Sequence, residues 1–377
     1  MTAGSGFNIK IARKIEEIPV GDWNKLMPEA GENYFFLKTL DESKMSQFSF
    51  FYILVYDKDI PVGATSCFVM NFGLDFGVTG KLKGFARCIK SIFPFIFNPR
   101  ILICGLPNGQ GRIGIAAAAD PGMVVKAICE GMEQIAKEKK AKVVVFKDFS
   151  FRYKDILDKC LDDGFFRTAS LPFTEMDIRF RDFNGYLGTL SYASRSGLRR
   201  KFKKIDEEVK FDLEVKGRLE EDELKEAYAL YLQTFGRKEV GLEKVPVDFF
   251  RNISGNMPEE TKFFLWRMDK KMVAFSYCLA SGGRFIDYFL GFDYSIAFHF
   301  HLYFIRFRDQ LDWCINNNIR LYEFGTTGYE SKRRLGFRLV PSYNYVKHRN
   351  RFLNPVVRVF SRNLVEKLYK FFSKRKK

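Results

Sequence analysis

The residues best equipped for chemistry lie late in the chain, in the stretch FGTTGYESKRRLGF, Phe324–Phe337. It follows a run that reads as a strand, and Gly325 and Gly328 permit a turn with positive φ. Glu330 is suited to take a proton from an amine nucleophile. Lys332 is suited to bind an anion, or to stabilise the oxyanion of an acyl transfer. The spacing is not that of a P-loop, because GxxxxGK(S/T) is absent and Lys332 is followed by Arg333. The competing reading is a tight turn that leads into a solvated basic helix.

The strands expected next to this turn carry Asp287, Asp293 and Glu323. Attack by an amine on a thioester or an aminoacyl ester needs the neutral amine, so a nearby carboxylate is useful. In DYFLGFDYS, Asp287 and Tyr288 fall on opposite faces of a strand, and Tyr288 could protonate a leaving group. A cross-strand polar pair is the alternative for each. With only three histidines (His299, His301 and His348) a multi-histidine metal centre is not expected. Seven cysteines, scattered and without a CxxC, fit a reducing compartment and neither a disulfide framework nor a zinc site.

NGQGRIG, Asn108–Gly114, matches GxGxxG through Gly109, Gly111 and Gly114, with Arg112 among them. A dinucleotide fingerprint needs its helix to open at the glycines. Here the helix opens later, where Asp120 can cap it and Pro121 occupies the first turn.

The net charge of +17 favours an anionic partner: nucleic acid, a phosphorylated cofactor or an acidic membrane face. Two regions concentrate it. One is a predicted helix with Arg195, Arg199, Arg200, Lys201, Lys203 and Lys204, able to hold a phosphate, a tRNA backbone or an anionic lipid. The other is the end of the chain, where Arg349–Lys377 holds ten Lys/Arg against one Glu. There Val356, Val357, Phe360, Leu364, Leu368 and Phe371 recur at helical spacing, a basic amphipathic pattern suited to an anionic bilayer. GKLKGFARCIKSIFPFIF, residues 80–97, has the same character. No secretory h-region and no apolar run of about 18 residues is evident, so the expectation is a cytoplasmic protein, peripheral to the inner membrane face. The 42 phenylalanines imply aromatic cores or a groove for something apolar.

What would position these residues is a repeat. Phe48–Asn71 reads as strand, charged turn, strand; Thr261–Phe292 has the same order, with a third strand after Gly282-Gly283. A helix with apolar residues at Val125, Ile128, Cys129, Met132 and Ile135, then a strand at Lys142–Phe149, is matched by the helix and strand of Leu302–Phe324. Both halves then pass through Gly-Phe and Pro into a final strand. The fold class expected is α/β with mixed sheets, divided as residues 1–182, 183–350 and a basic amphipathic tail over 351–377.

This duplicated order resembles the GNAT acyltransferase superfamily, and the tandem arrangement resembles the FemAB-like proteins. The specific motif lies in the second half: FHFHLYF at Phe298–Phe304, then Glu323, Gly325, Gly328, Glu330, Lys332, Gly336, Phe337, Pro341 and Tyr343. His301 stands where the family favours Glu, and Tyr329 is an extra residue. The resemblance implies transfer of an acyl or aminoacyl group to an amine, with the acceptor lipid- or cell-wall-linked. Taken with the residue chemistry above, the expected catalytic residues are Glu330, Lys332, Asp287 and Tyr288, and the expected substrate contacts are His299, Glu323, Gly325, Thr326, Gly328, Arg199 and Arg200. Acyl-CoA is the leading donor, with Gly109, Gly111, Arg112 and Gly114 as its candidate loop; aminoacyl-tRNA is the alternative, and DNA and metal are not expected. A non-catalytic protein that binds lipid or a cell-wall precursor is the reading from another class.

Overall fold

The computed structural model describes residues 6–71, 99–237, 244–359, 361, 362 and 366. The segment at residues 80–97 and most of the basic tail lie outside the described residues. The chain forms two compact units. One is built mainly from the chain up to Pro172 and from Pro341 onward, the other mainly from Phe173–Lys238 and Pro246–Val340.

The first unit contains β1 (Asn8–Ala12), α1 (Val20–Leu26), α2 (Tyr34–Glu42), β2 (Ser49–Asp57), β3 (Ile60–Asn71), β4 (Arg100–Cys104), β5 (Gly114–Ile115), α3 (Pro121–Glu138), β6 (Val143–Ser150), α4 (Lys154–Leu157), β7 (Phe166–Ala169) and, from the chain's end, β15 (Ser342–His348). Its sheet runs β1-β2-β3-β4-β6-β15-β7, with β5 against β3. β4 and β6 are parallel; the other pairs are antiparallel. Helix α3 starts as its sequence dictates: the Asp120 carboxylate accepts from the Met123 N–H, and Pro121 opens the first turn. Val125, Ile128, Met132 and Ile135 are buried along one stripe, while Cys129 sits half-exposed at its edge.

The second unit contains β8 (Phe173–Asp177), α5 (Phe183–Thr189), α6 (Tyr192–Glu208), β9 (Asp212–Lys216), α7 (Glu221–Gly236), α8 (Val247–Asn256), β10 (Thr261–Met268), β11 (Lys271–Ser281), β12 (Arg284–Phe292), α9 (Leu302–Asn316), β13 (Leu321–Glu323), α10 (Tyr329–Arg334) and β14 (Arg338–Val340). The sheet order is β14-β8-β13-β12-β11-β10-β9, and β12 and β13 are its parallel pair. Gly282 and Gly283 join β11 to β12 at φ 58° and 76°, the left-handed pair that a two-residue hairpin needs.

The phenylalanines largely make cores. On one face of the second sheet, Phe202, Phe264, Phe285, Phe307 and Phe337 pack with α6 and α9. On the other, Phe249, Phe250 and Phe289 stack edge-to-face around Tyr231 and Tyr277. Each such burial is worth roughly 1.5–3 kcal/mol.

One feature departs from the contiguous halves expected from the repeat. The last strand of each half joins the other half's sheet. β8 pairs with β13 and β14, while β15 inserts between β6 and β7. The crossings fall at Pro172/Phe173 and Val340/Pro341 instead of near residue 182.

Candidate active site

In the second unit, β12 and β13 pair over only three residues, ending at Ile286 opposite Glu323. β12 runs on to Phe292, whereas the chain after β13 turns away through Phe324–Gly328. Gly325, Thr327 and Gly328 take φ values of 51°, 90° and 64° in that turn. The register of β12 on β11 jumps from Cys278↔Asp287 to Tyr277↔Phe289, so Tyr288 is the extra residue of a bulge. Asp287 points toward α9 and Tyr288 toward the Tyr277/Phe289 stack, the opposite faces expected from alternation.

Behind the divergence lies a buried polar cluster. Arg306, with no exposed surface, donates through Nη1 to Asp287 Oδ2, to Gln310 Oε1 at 2.9 Å and to Ser276 Oγ at 3.2 Å. The Tyr322 hydroxyl reaches Gln310 Oε1 at 2.8 Å and Asp287 Oδ2 at 3.1 Å, and Gln310 Nε2 donates to Cys278 Sγ. Burial works against the charge of Arg306, but Asp287, joined by Tyr322 and Tyr303, outweighs it and the pKa is raised. Arg306 Nε and Nη2 have no hydrogen-bond partner among the described residues; the rings of Phe324 and Tyr303, 4.6 and 5.6 Å from the guanidinium carbon, cover that side. Sequence reading did not single out Arg306, Gln310 or Tyr322. The available signal was Arg306 and Gln310 at i and i+4 on the same helix stripe as Leu302 and Cys314.

Lys332 lies beside this cluster, and Glu330 does not. The Lys332 side chain is buried, and its Nζ donates to the Phe324 carbonyl and, at 3.3 Å, to that of Gly325. Thr174 of β8 bonds the same two carbonyls at 3.0 and 2.9 Å. The lysine therefore clamps the glycine turn. Glu330 faces solvent and pairs with Arg334 at 3.0 Å. Residues two apart on a helix point in nearly opposite directions, so the expected Glu330–Lys332 pair is not assembled.

Burial pushes Lys332 down to about 7; Asp287 opposes the shift and Arg306 adds to it. Its ordinary value is 10.5, so between about pH 7 and 10.5 the unfolded chain binds more protons and stability rises with pH. Below that window both states carry the proton and the burial penalty is fully present. We expect Lys332→Met to flatten the rise in denaturation midpoint between pH 7 and 10, relative to the wild type. Equal slopes in the two proteins would show that this amine is solvated.

The remaining carboxylates are committed. Glu323, buried, accepts from Arg284 at 2.5 and 2.9 Å. Asp293 pairs with Lys271 at 2.8 Å and accepts from Ser295. Thr326 is half-buried in the turn.

A group of cations forms at the start of α9. His301 caps it at φ 48°, with Nε2 3.4 Å from Lys201 Nζ. Burial lowers the His301 pKa, and Lys201, Lys204 and His299 push the same way. Burial also lowers that of Lys201, with Arg200 and Arg334 adding to it. Arg199, Arg200, Lys203 and Lys204 are exposed on α6. His299 is exposed and lies 3.6 Å from Glu208.

The glycine loop of the first unit has a packing explanation. A Cβ on Gly111 would meet the Lys147 carbonyl at 2.3 Å, and one on Gly114 the Leu26 carbonyl at 2.4 Å. Gly109 takes φ 113°. Arg112 pairs with the buried Glu32 at 2.8 Å. The glycines expected to hold a cofactor make a tight crossing against β6 and α1, and the loop ends before the helix start at Pro121. Among the described residues, no group of three or more His, Cys, Asp or Glu could hold a metal ion.

A mixed sheet whose parallel central strands separate, with helices on both faces, is the GNAT fold, and the chain carries it in tandem. The chain belongs to the FemAB-like family, described as peptidoglycan biosynthesis/recognition, which matches residues 84–374. FemX superposes with a TM-score of 0.60 at 12% identity, over 92% of this chain and 99% of that one. The L-PGS structure from Bacillus licheniformis gives 0.51 at 13% identity, over 81% and 86%. A tandem GNAT protein of the clavulanic acid biosynthesis pathway gives 0.51 at 9% identity, over 90% and 98%. At these identities the likeness concerns the fold. No curated protein matches the chain. Family and fold together support a transferase of the acyl or aminoacyl class.

Proposed function

We propose that the second unit transfers an acyl or aminoacyl group from a phosphate-rich donor to the amine of a peptidoglycan- or lipid-linked acceptor. The observation that carries this reading is the run of β12 past the end of β13, Asp287–Phe292. Backbone N–H groups there suit polarising an acyl carbonyl. The amine nitrogen attacks the carbonyl carbon, and the C–S or C–O bond to the donor breaks. The proton lost from nitrogen passes to solvent, because Asp287, Asp293 and Glu323 are each held in an ion pair. Tyr288, half-buried at the bulge, is our candidate for protonating the leaving group. Catalysis then rests chiefly on orientation and on fixed dipoles.

The cations around His301 suit a donor's phosphates. An acyl-CoA thioester, with its compact pyrophosphate, is the first reading. An aminoacyl-tRNA is the second, favoured by the row of exposed Arg and Lys along α6, which is longer than a pyrophosphate requires. Native mass spectrometry of protein purified from cells, with titration against coenzyme A and against tRNA, tests both. Retention or micromolar binding of one donor supports the reading. Binding of neither, with a cell-wall precursor still bound, would make this a non-catalytic recognition protein.

A further inference from the structure

The polypeptide after β15 presents a surface that the transfer reading does not use. It is continuous with the first unit's sheet through His348, whose N–H bonds the Asn354 side chain at 2.9 Å. Residues 351–353 form a 3-10 turn and 354–359 are helical. Phe352, Val356 and Val359 are 75%, 54% and 62% exposed, and Leu353 is exposed beside them. Few other stretches of the described chain expose so many large apolar side chains so close together, and large apolar groups are not left in water on this scale without a partner. Val356 and Val359, at i and i+3, share one face of the helical stretch, and Phe352 precedes them in the adjoining turn.

The adjoining face is cationic. On an ideal helix, Arg351, Arg358 and Arg362, at i, i+7 and i+11 in the sequence, would fall about 100° around from the apolar row. All three are exposed. Arg362 pairs with Glu366 at 3.4 Å, and Arg351 lies over the Phe352 ring at 5.0 Å. The sequence from Arg349 to Lys377 holds ten Lys/Arg, these three included, against one Glu. An apolar row beside a cationic row, followed by a strongly basic tail, is complementary to one kind of surface. Acyl chains take the apolar row, and anionic headgroups take the arginines, whose long stems lie along the apolar edge. A protein groove would match the apolar row alone, and a nucleic acid the cations alone. Among the described residues no helix is long and apolar enough to cross a membrane, so this surface would lie on the bilayer.

We infer that the segment around Phe352–Arg362 docks this protein on an anionic lipid bilayer, with Phe352, Val356 and Val359 inserted and Arg351, Arg358 and Arg362 on the headgroups. The inference does not depend on the transfer reading, since it can be measured without donor or acceptor.

The test is co-sedimentation of the full chain with vesicles of phosphatidylcholine alone and with about 25% phosphatidylglycerol added. The expected result is binding to the anionic vesicles and at least about tenfold less to the neutral ones. Arg358→Gln/Arg362→Gln should lower partitioning to anionic vesicles by roughly tenfold or more. Phe352→Ser/Val356→Ser/Val359→Ser should lower it by a similar factor. These side chains are exposed, so the thermal midpoints should stay near that of the wild type, and a variant whose midpoint falls is replaced by Phe352→Ser alone. Wild-type protein that ignores anionic vesicles would overturn the inference. So would a serine variant that binds like the wild type, because binding would then be electrostatic alone, as for a nucleic acid ligand.

Discussion

Replacing Arg306 with methionine is expected to cost about 3–5 kcal/mol of stability, measured by chemical denaturation. The guanidinium is fully buried and is the cationic partner of Asp287. Methionine fills much of the same volume but leaves the carboxylate, among the described residues, with the Tyr322 hydroxyl and the Cys278 thiol as donors. Asp287→Asn leaves the opposite charge uncompensated and should cost a similar amount. The double variant should be less destabilised than the sum of the two single losses by about 2 kcal/mol or more, because neither buried charge then remains. Simple additivity, or a single loss below about 1 kcal/mol, would show that water reaches the cluster. The cluster fixes the face of β12 from which Asp287 projects, so its loss should also lower turnover. Its role in that case is positioning.

The second large effect is expected at the cationic group beside α9. Arg200 and Lys204 are exposed on α6, so reversing both charges leaves the core of the unit intact. A phosphate loses one charge-assisted hydrogen bond at each position, each worth roughly 1.5–3 kcal/mol. Arg200→Glu/Lys204→Glu should therefore lower kcat/KM for the donor by about 100-fold or more. The defect should lie in donor affinity, with kcat for bound donor nearly unchanged. The wild type should lose donor affinity as salt rises, and the variant should lose less. An unchanged kcat/KM would move the donor's phosphates elsewhere on the unit.

Much of the fold was legible in the sequence because short-range chemistry sets it. Asp120 followed by Pro121 predicts the start of α3, and Gly282-Gly283 predicts the turn between β11 and β12. The order of elements repeats because each half builds the same kind of sheet. The partners of the final strands were not legible. β8 and β15 read alike in sequence, and nothing in their alternation says which sheet edge accepts them. The same limit applies to the candidate site. Arg306 and Asp287 are 19 residues apart and meet only when α9 folds over β12. The separation of Glu330 from Lys332, by contrast, follows from helix geometry: once the segment is a helix, the two residues point apart. The glycines of NGQGRIG match a phosphate-loop pattern, yet Gly111 and Gly114 are required by close backbone approach. A pattern of small residues does not distinguish room for a ligand from room for a neighbouring strand.

The claim that unites these features is amine acylation at the separated strands of the second unit. Its most direct test is the mass of the acceptor after incubation of the full chain with an amine-bearing peptidoglycan precursor and, in parallel, acyl-CoA or aminoacyl-tRNA. One donor is expected to raise the acceptor mass by one acyl or aminoacyl group. Free thiol or uncharged tRNA should be released in equimolar amount, and transfer should be slower for Tyr288→Phe. An acceptor of unchanged mass with both donors, under conditions where the protein binds that acceptor, would contradict it.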